Sequence, residues 1–154
     1  MDKTKRYLSV NIEYGKAFVD FVNPREDEQV SIAISFLKSR YHTKKVRASN
    51  EFAINETFIF EFEGDNTKAK FDTSLLLKLN QPIHLTILRH RKNQRPVVIG
   101  TKNLDWRSVL FCNSVEMNAG IMPVDLTQQG SLGMVGLNLD LVPNLNKNDL
   151  CSEE

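Results

Sequence analysis

Apolar and polar residues alternate with a period of two along much of this chain. Leu8, Val10, Ile12 and Tyr14 alternate with Ser9, Asn11 and Glu13, and Val30, Ile32, Ile34 and Phe36 with Ser31, Ala33 and Ser35. The pattern returns in Phe58, Phe60 and Phe62, in Ile83, Leu85 and Ile87, and in Leu137, Leu139 and Leu141. Successive side chains of a strand point to opposite faces, so each run offers one face to a core and one mostly to water, as antiparallel sheets require. Shorter runs fill the gaps. Residues 40–48 read as a polar strand, 97–101 as a short apolar one, and 116–126 as a strand broken near Pro123. About eight strands result, too many for one open, half-wet sheet of this length. Two packed antiparallel sheets, an all-β sandwich, are the natural solution, with a closed barrel as the alternative.

Two short helical insertions interrupt the strands. Phe71, Leu75 and Leu79 recur at helical spacing, with Asp72 or Thr73 as N-cap. Asn103 is expected to cap a short turn through Leu110, with Trp106 and Leu110 on one side. Strands and helices do not alternate as the crossovers of a parallel sheet would. A single domain over residues 1–143 is expected, followed by a flexible polar tail over 144–154.

Composition narrows the class. The chain has 154 residues, 41% hydrophobic and 25% charged, enough to bury a core without staples. A net charge of +1 gives no bulk attraction to nucleic acid or membrane, so any basic site must be local. Cys112 and Cys151 are the two cysteines, and Cys151 sits in a polar tail, which suits a reducing compartment better than a disulfide. No apolar run reaches the roughly 18 residues of a membrane-spanning helix. The charged start, Met1 to Arg6, has no apolar segment behind it and reads as neither signal nor transit peptide. Asp2 and the closing Cys-Ser-Glu-Glu carry no lipidation signal, and the sequon at Asn55-Glu56-Thr57 has no secretory context. A cytoplasmic protein is expected.

The order of features points to a family. His42-Thr43-Lys44-Lys45-Val46 resembles the lysine-bearing strand of C2 domains, Asn55-Glu56-Thr57-Phe58-Ile59-Phe60 their asparagine-glutamate-x-phenylalanine signature, and Val98-Ile99-Gly100 their isoleucine-glycine pair. Asn55 and Glu56 can tie a loop, Phe58 and Phe60 can fill an inter-sheet core, and Gly100 can permit a close approach or a bulge. Arg6-Tyr7-Leu8, Gly15-Lys16-Ala17-Phe18, Leu104-Asp105-Trp106-Arg107-Ser108-Val109-Leu110 and Met134-Val135-Gly136 resemble the C2 domain of the seventy-six-kilodalton centrosomal protein type, over roughly Lys5 to Pro143. That resemblance implies an eight-stranded C2-like sandwich acting as a scaffold component of a centriole or cilium, with other scaffold proteins as partners.

Calcium-binding C2 domains gather aspartates at one end, because the ion takes about six to eight oxygen ligands. Asp20, Glu26, Asp27 and Glu28 could supply some. The loop after Leu88, however, reads Arg89-His90-Arg91-Lys92-Asn93-Gln94-Arg95, with four positive charges and no carboxylate. Calcium independence is expected, with the first-loop acids pairing with this basic loop instead. Lys38, Arg40, His42 and Lys44 are expected on one strand face and Lys45 and Arg47 on the other. Lys44, Lys45, Arg47, Arg89, Arg91, Lys92 and Arg95 form the candidate contact surface, for an acidic protein or for an anionic membrane surface. The same residues also read as a solvated strand that protects a sheet edge. The basic loop tip lacks an exposed Phe, Trp or Leu that deep membrane insertion needs.

His84 and His90 share a strand face but lie too far apart to clamp one ion, and no cysteine pair has zinc spacing. Gly130-Ser131-Leu132-Gly133 lacks the lysine of a phosphate loop. No catalytic residue, metal or cofactor is expected. Aromatics are not interleaved with the basic residues as in single-strand binders, so nucleic acid is not an expected partner. Tyr41 reads as edge packing, and Trp106 as a lid over one end of the sandwich.

Overall fold

A computed structural model describes residues 3–65, 80–125, 127, 128 and 130–142. The strands are β1 (Lys3–Lys16), β2 (Gln29–Phe36), β3 (Ser39–His42), β4 (Val46–Arg47), β5 (Phe52–Asp65), β6 (Ile83–His90), β7 (Val97–Leu104), β8 (Ser114–Pro123) and β9 (Gly133–Val142). β3 and β4 both pair with β2 and occupy one strand position, so the expected eight-stranded arrangement holds. Neighbours run in the order β3-β2-β6-β7-β8-β9-β1-β5, all pairs antiparallel. The strip folds over at the β7–β8 seam, where only Gly100 opposite Pro123 and Thr101 opposite Met122 are in register. One layer is β3/β4-β2-β6-β7 and the other is β8-β9-β1-β5.

The period-two residues fill the space between the layers. Leu8, Val10 and Ile12 of β1 and Leu137 and Leu139 of β9 face Ile32, Ile34 and Phe36 of β2 and Leu85 and Ile87 of β6, all buried. Gly100 serves both purposes expected of it. A Cβ there would lie 2.6 Å from side-chain atoms of Ile121 and Leu132. The β6–β7 register also shifts beside it, with Ile87 opposite Gly100 but Leu88 opposite Val98. The last strand pair of a sandwich, β3/β4 against β5, carries no backbone ladder here. Side chains close that gap. Tyr41 stacks on Phe58 with ring centres 5.6 Å apart and leans on Phe60 at 5.3 Å. Phe60 meets Phe36 edge-on, and Phe36 meets Trp106 at 5.1 Å. An aromatic row thus runs across the sandwich to the end that Trp106 covers.

The helical expectations fare differently. The one at Phe71 to Leu79 lies outside the described residues. The turn before Leu110 forms later than the sequence suggests, as helix α1 (Val109–Cys112). Asn103 does not cap it. It stays in β7, where its Oδ1 lies 2.6 Å from His84 Nδ1. A further 3-10 turn, Val19–Phe21, buries Phe21 beneath the first loop.

Candidate functional site

The basic strand is not continuous. Ala33 pairs with His42, but Val30 pairs with Val46, so three steps along β2 (33 to 30) match four along its partner (42 to 46). One extra residue is inserted, a β-bulge. Thr43 holds it: buried, it donates its N–H to Ile32 O at 2.9 Å, and its Oγ1 accepts the Ile32 N–H at 2.9 Å. Lys44 N–H then donates to Glu56 Oε2 at 2.7 Å. Beside it Asn55 takes a positive φ of 53°, where β1 and β5 slip register. The asparagine-glutamate pair therefore ties the bulge of one layer to the edge of the other.

The bulge overturns the expected division of faces. An inserted residue reverses parity, so Arg40 and His42 before it and Arg47 after it point the same way. Arg40 lies opposite Ser35, His42 opposite Ala33 and Arg47 opposite Gln29, all on the outer face of β2. Lys38 belongs to the tight turn between β2 and β3, and Lys44 is taken up in the bulge. On β6, His84 and His90 lie opposite Ser35 and Gln29. All three histidines therefore share this outer face. Its floor is made of buried Ser31, Ala33 and Thr86 together with Leu88, which lies opposite Ser31.

His90 is the most constrained of the three. Its Nε2 lies 2.7 Å from Ser31 Oγ. Burial lowers its pKa below the ordinary 6.5, helped by the positive charges of Lys45 and His42. The unfolded chain therefore takes up this proton before the folded one does. Stability should decline as pH falls below about 6.5, and level off once the folded state is protonated too. The melting temperature of His90→Gln, followed from neutral to mildly acidic pH, should fall less steeply than that of the parent.

At the loop end, the two basic segments meet. Lys45 from the bulge and His90, Arg91 and Lys92 from the β6–β7 turn line one groove with Gln29 and Asp27. Arg91 pairs with Glu28, Nη2 to Oε1 at 3.2 Å, and the Glu28 side chain is only 5% exposed. Lys92 N–H donates to Asp27 Oδ2 at 3.3 Å. Two of the four first-loop acids, Asp27 and Glu28, thus engage the basic loop, Glu28 as an ion pair and Asp27 through a backbone N–H. Among the described residues, no group of three or more His, Cys, Asp or Glu side chains is placed to hold a metal ion. Lys92 and Arg95 stand exposed on the turn, while Arg89 lies opposite inward-facing Val30 and is half-buried. Lys44, Lys45, Arg47, Lys92 and Arg95 are therefore the exposed members of the candidate surface, and Arg91 is partly committed to structure. Sequence reasoning did not include Arg40 and the histidines in that surface. A signal existed: neither Gln29–Asn50 nor Gln81–Leu104 contains a single Asp or Glu.

An antiparallel sandwich of this order, with paired loops at one end, is a C2 domain. It aligns with a C2 domain of plant extended synaptotagmin 1 at a TM-score of 0.61 and 12% identity, covering 95% of this chain and all of that one. A structure titled for CC2D1B in mitotic reformation of the nuclear envelope aligns at a TM-score of 0.68 and 12% identity, over 94% of this chain and 64% of that one. Human GIVD cytosolic phospholipase A2 aligns equally well, at 9% identity, through only 17% of its own chain. Residues 1–147 match the CEP76 C2 domain, and the chain belongs to that family. It is 24% identical to Centrosomal protein of 76 kDa from Homo sapiens and 26% identical to that from Xenopus tropicalis, over 96% of this chain in each case. The chain spans about a quarter of the length of these relatives, 24% of each.

Proposed function

We propose that this domain is a non-catalytic, calcium-independent interaction module that takes an acidic protein partner within a centrosomal, centriolar or ciliary scaffold. The observation that carries this reading is the layer β3/β4-β2-β6-β7. Its strands hold no carboxylate, and its outer face gathers Arg40, His42, Lys45, Arg47 and His90 beside Lys92. Positive charge on a sheet whose own strands carry no carboxylate suits an extended acidic segment, steering encounter and fixing register. Calcium independence rests on the loop-end pairs: Glu28 is engaged by Arg91 and Asp27 by the Lys92 backbone. The family relatives, centrosomal by name, support the setting.

The second reading is a peripheral binder of anionic phospholipid through the same residues. Val19 and Val22, exposed at the first loop, favour it by offering a small apolar tip. Exposed Asp20 and Glu26 on that loop oppose an anionic surface. Binding of a labelled poly-glutamate peptide, alongside co-sedimentation with neutral and anionic vesicles, separates the two. The protein reading expects poly-glutamate binding that calcium leaves unchanged and that Lys45→Glu with Arg47→Glu abolishes, with no vesicle binding at physiological salt. Binding to anionic vesicles alone would install the lipid reading instead.

A further inference from the structure

The charge of the chain is divided between the two layers. Half of its lysines and arginines, and all three histidines, lie in Gln29–Asn50 and Gln81–Leu104, the segments that build the β3/β4-β2-β6-β7 layer. The outer face of the other layer carries the opposite sign at its centre. Asn11, Asn138 and Glu116 lie side by side across β1, β9 and β8, and Ser9, Asp140 and Ser114 form the next row. Their neighbours Leu137 and Leu139 are buried, so Asn138 and Asp140 face outward. Glu13 accepts a hydrogen bond from Asn138 Nδ2 and so joins the same face. Glu61, opposite Tyr7 on β5, is exposed. Lys16, packed over the Tyr14 ring, is a counter-charge at the far end of β1. The outer faces of two packed sheets look in opposite directions, so the domain is basic on one side and acidic at the centre of the other.

We propose that the acidic β8-β9-β1-β5 face of one copy docks on the basic β3/β4-β2-β6-β7 face of the next. A second copy is the occupant because both halves of the match lie on one chain, each a four-strand face of the same width. Glu116 and Asp140 are the carboxylates presented to Lys45, Arg47 and His42. Ser31, Ala33, Thr86 and Leu88 are buried between the cationic side chains and form the floor that the carboxylates approach. Such a contact is heterologous: each copy that docks leaves a free basic face and a free acidic face, and copies add in an open stack. Four strands span about 19 Å and eight residues about 26 Å, an area at the small, weak end of specific interfaces. Association therefore builds up only at high local concentration, as on an assembled scaffold, and salt opposes it. The inference uses the basic face of the proposed function but adds the acidic face, which that function does not need.

Sedimentation velocity tests it. The sedimentation coefficient should rise with concentration up to about 1 mM at low salt, and affinity should weaken about tenfold or more on raising salt to about 0.3 M. Lys45→Glu with Arg47→Glu should be monomeric, and so should Glu116→Lys with Asp140→Lys. An equimolar mixture of the two variants should associate again, because one then has two acidic faces and the other two basic ones; that recovery also shows both are folded. A monomeric parent at about 1 mM and low salt, or association that survives either pair of reversals, overturns the proposal, as does a mixture that stays monomeric. Poly-glutamate binding separates this proposal from the function it extends. Glu116→Lys with Asp140→Lys should keep that binding, so loss of self-association alone leaves the acidic-partner reading standing.

Discussion

Replacing Trp106 with alanine is expected to destabilise the domain by about 3–5 kcal/mol, the range for removing a large buried aromatic side chain. Trp106 is 1% exposed and packs its ring against Phe36 at an interplanar angle of 70°. Its Nε1–H donates to Gln81 O at 2.8 Å. The alanine variant opens a cavity at the end of the aromatic row and leaves that carbonyl without its indole donor. Trp106→Phe keeps most of the packing and loses the hydrogen bond, so it should cost less, about 1–3 kcal/mol. Urea denaturation of the two variants beside the parent separates packing from hydrogen bonding. Equal losses would mean that the indole N–H, not the ring volume, holds this end.

Arg91→Ala should cost about 2 kcal/mol, more than an exposed ion pair and less than a fully buried one. The reason is asymmetric burial: the Arg91 side chain is 25% exposed and that of Glu28 5%. Water can reach the guanidinium in part, but the carboxylate left behind has little access to solvent. Its remaining contact, the Arg25 N–H at 3.5 Å, is long. Glu28→Gln in the same background should restore about half of the loss or more, because a neutral amide is less costly to leave buried. A denaturation cycle over parent, both single variants and the double variant gives the coupling. A coupling near zero would show that the two loops are held by something other than this pair.

The fold was legible because each strand turns one apolar face to the core and a more polar one away from it, and that division writes itself as alternation. β1, β2, β6 and β9 are read directly from Leu8–Tyr14, Val30–Phe36, Ile83–Ile87 and Leu137–Leu141. The family, too, could be recognised from short segments, with the block around Trp106 the most telling of them. The faces of the basic strand could not be read this way. Alternation assumes an unbroken ladder, and nothing in Tyr41-His42-Thr43-Lys44-Lys45 marks Thr43 as the residue whose hydroxyl replaces a ladder bond. The bulge depends on a partner distant in sequence, Glu56 on β5, which receives the freed Lys44 N–H. Asn103 shows the same limit. Its type suits a helix cap, but His84 on the neighbouring strand claims its side chain. The pairing of Arg91 with Glu28 lies between these cases: opposite charges in two loops suggest contact, and only the geometry shows that one of them is buried.

The loop end is where the account is most exposed to test. If Arg91 and the Lys92 backbone engage the carboxylates that calcium would require, the melting temperature should be the same in chelator and in about 1 mM calcium, a concentration that saturates sensor-type sites. A calcium-dependent rise that saturates with concentration would contradict the account. It would show that Asp27 and Glu28 leave their present partners to bind the ion.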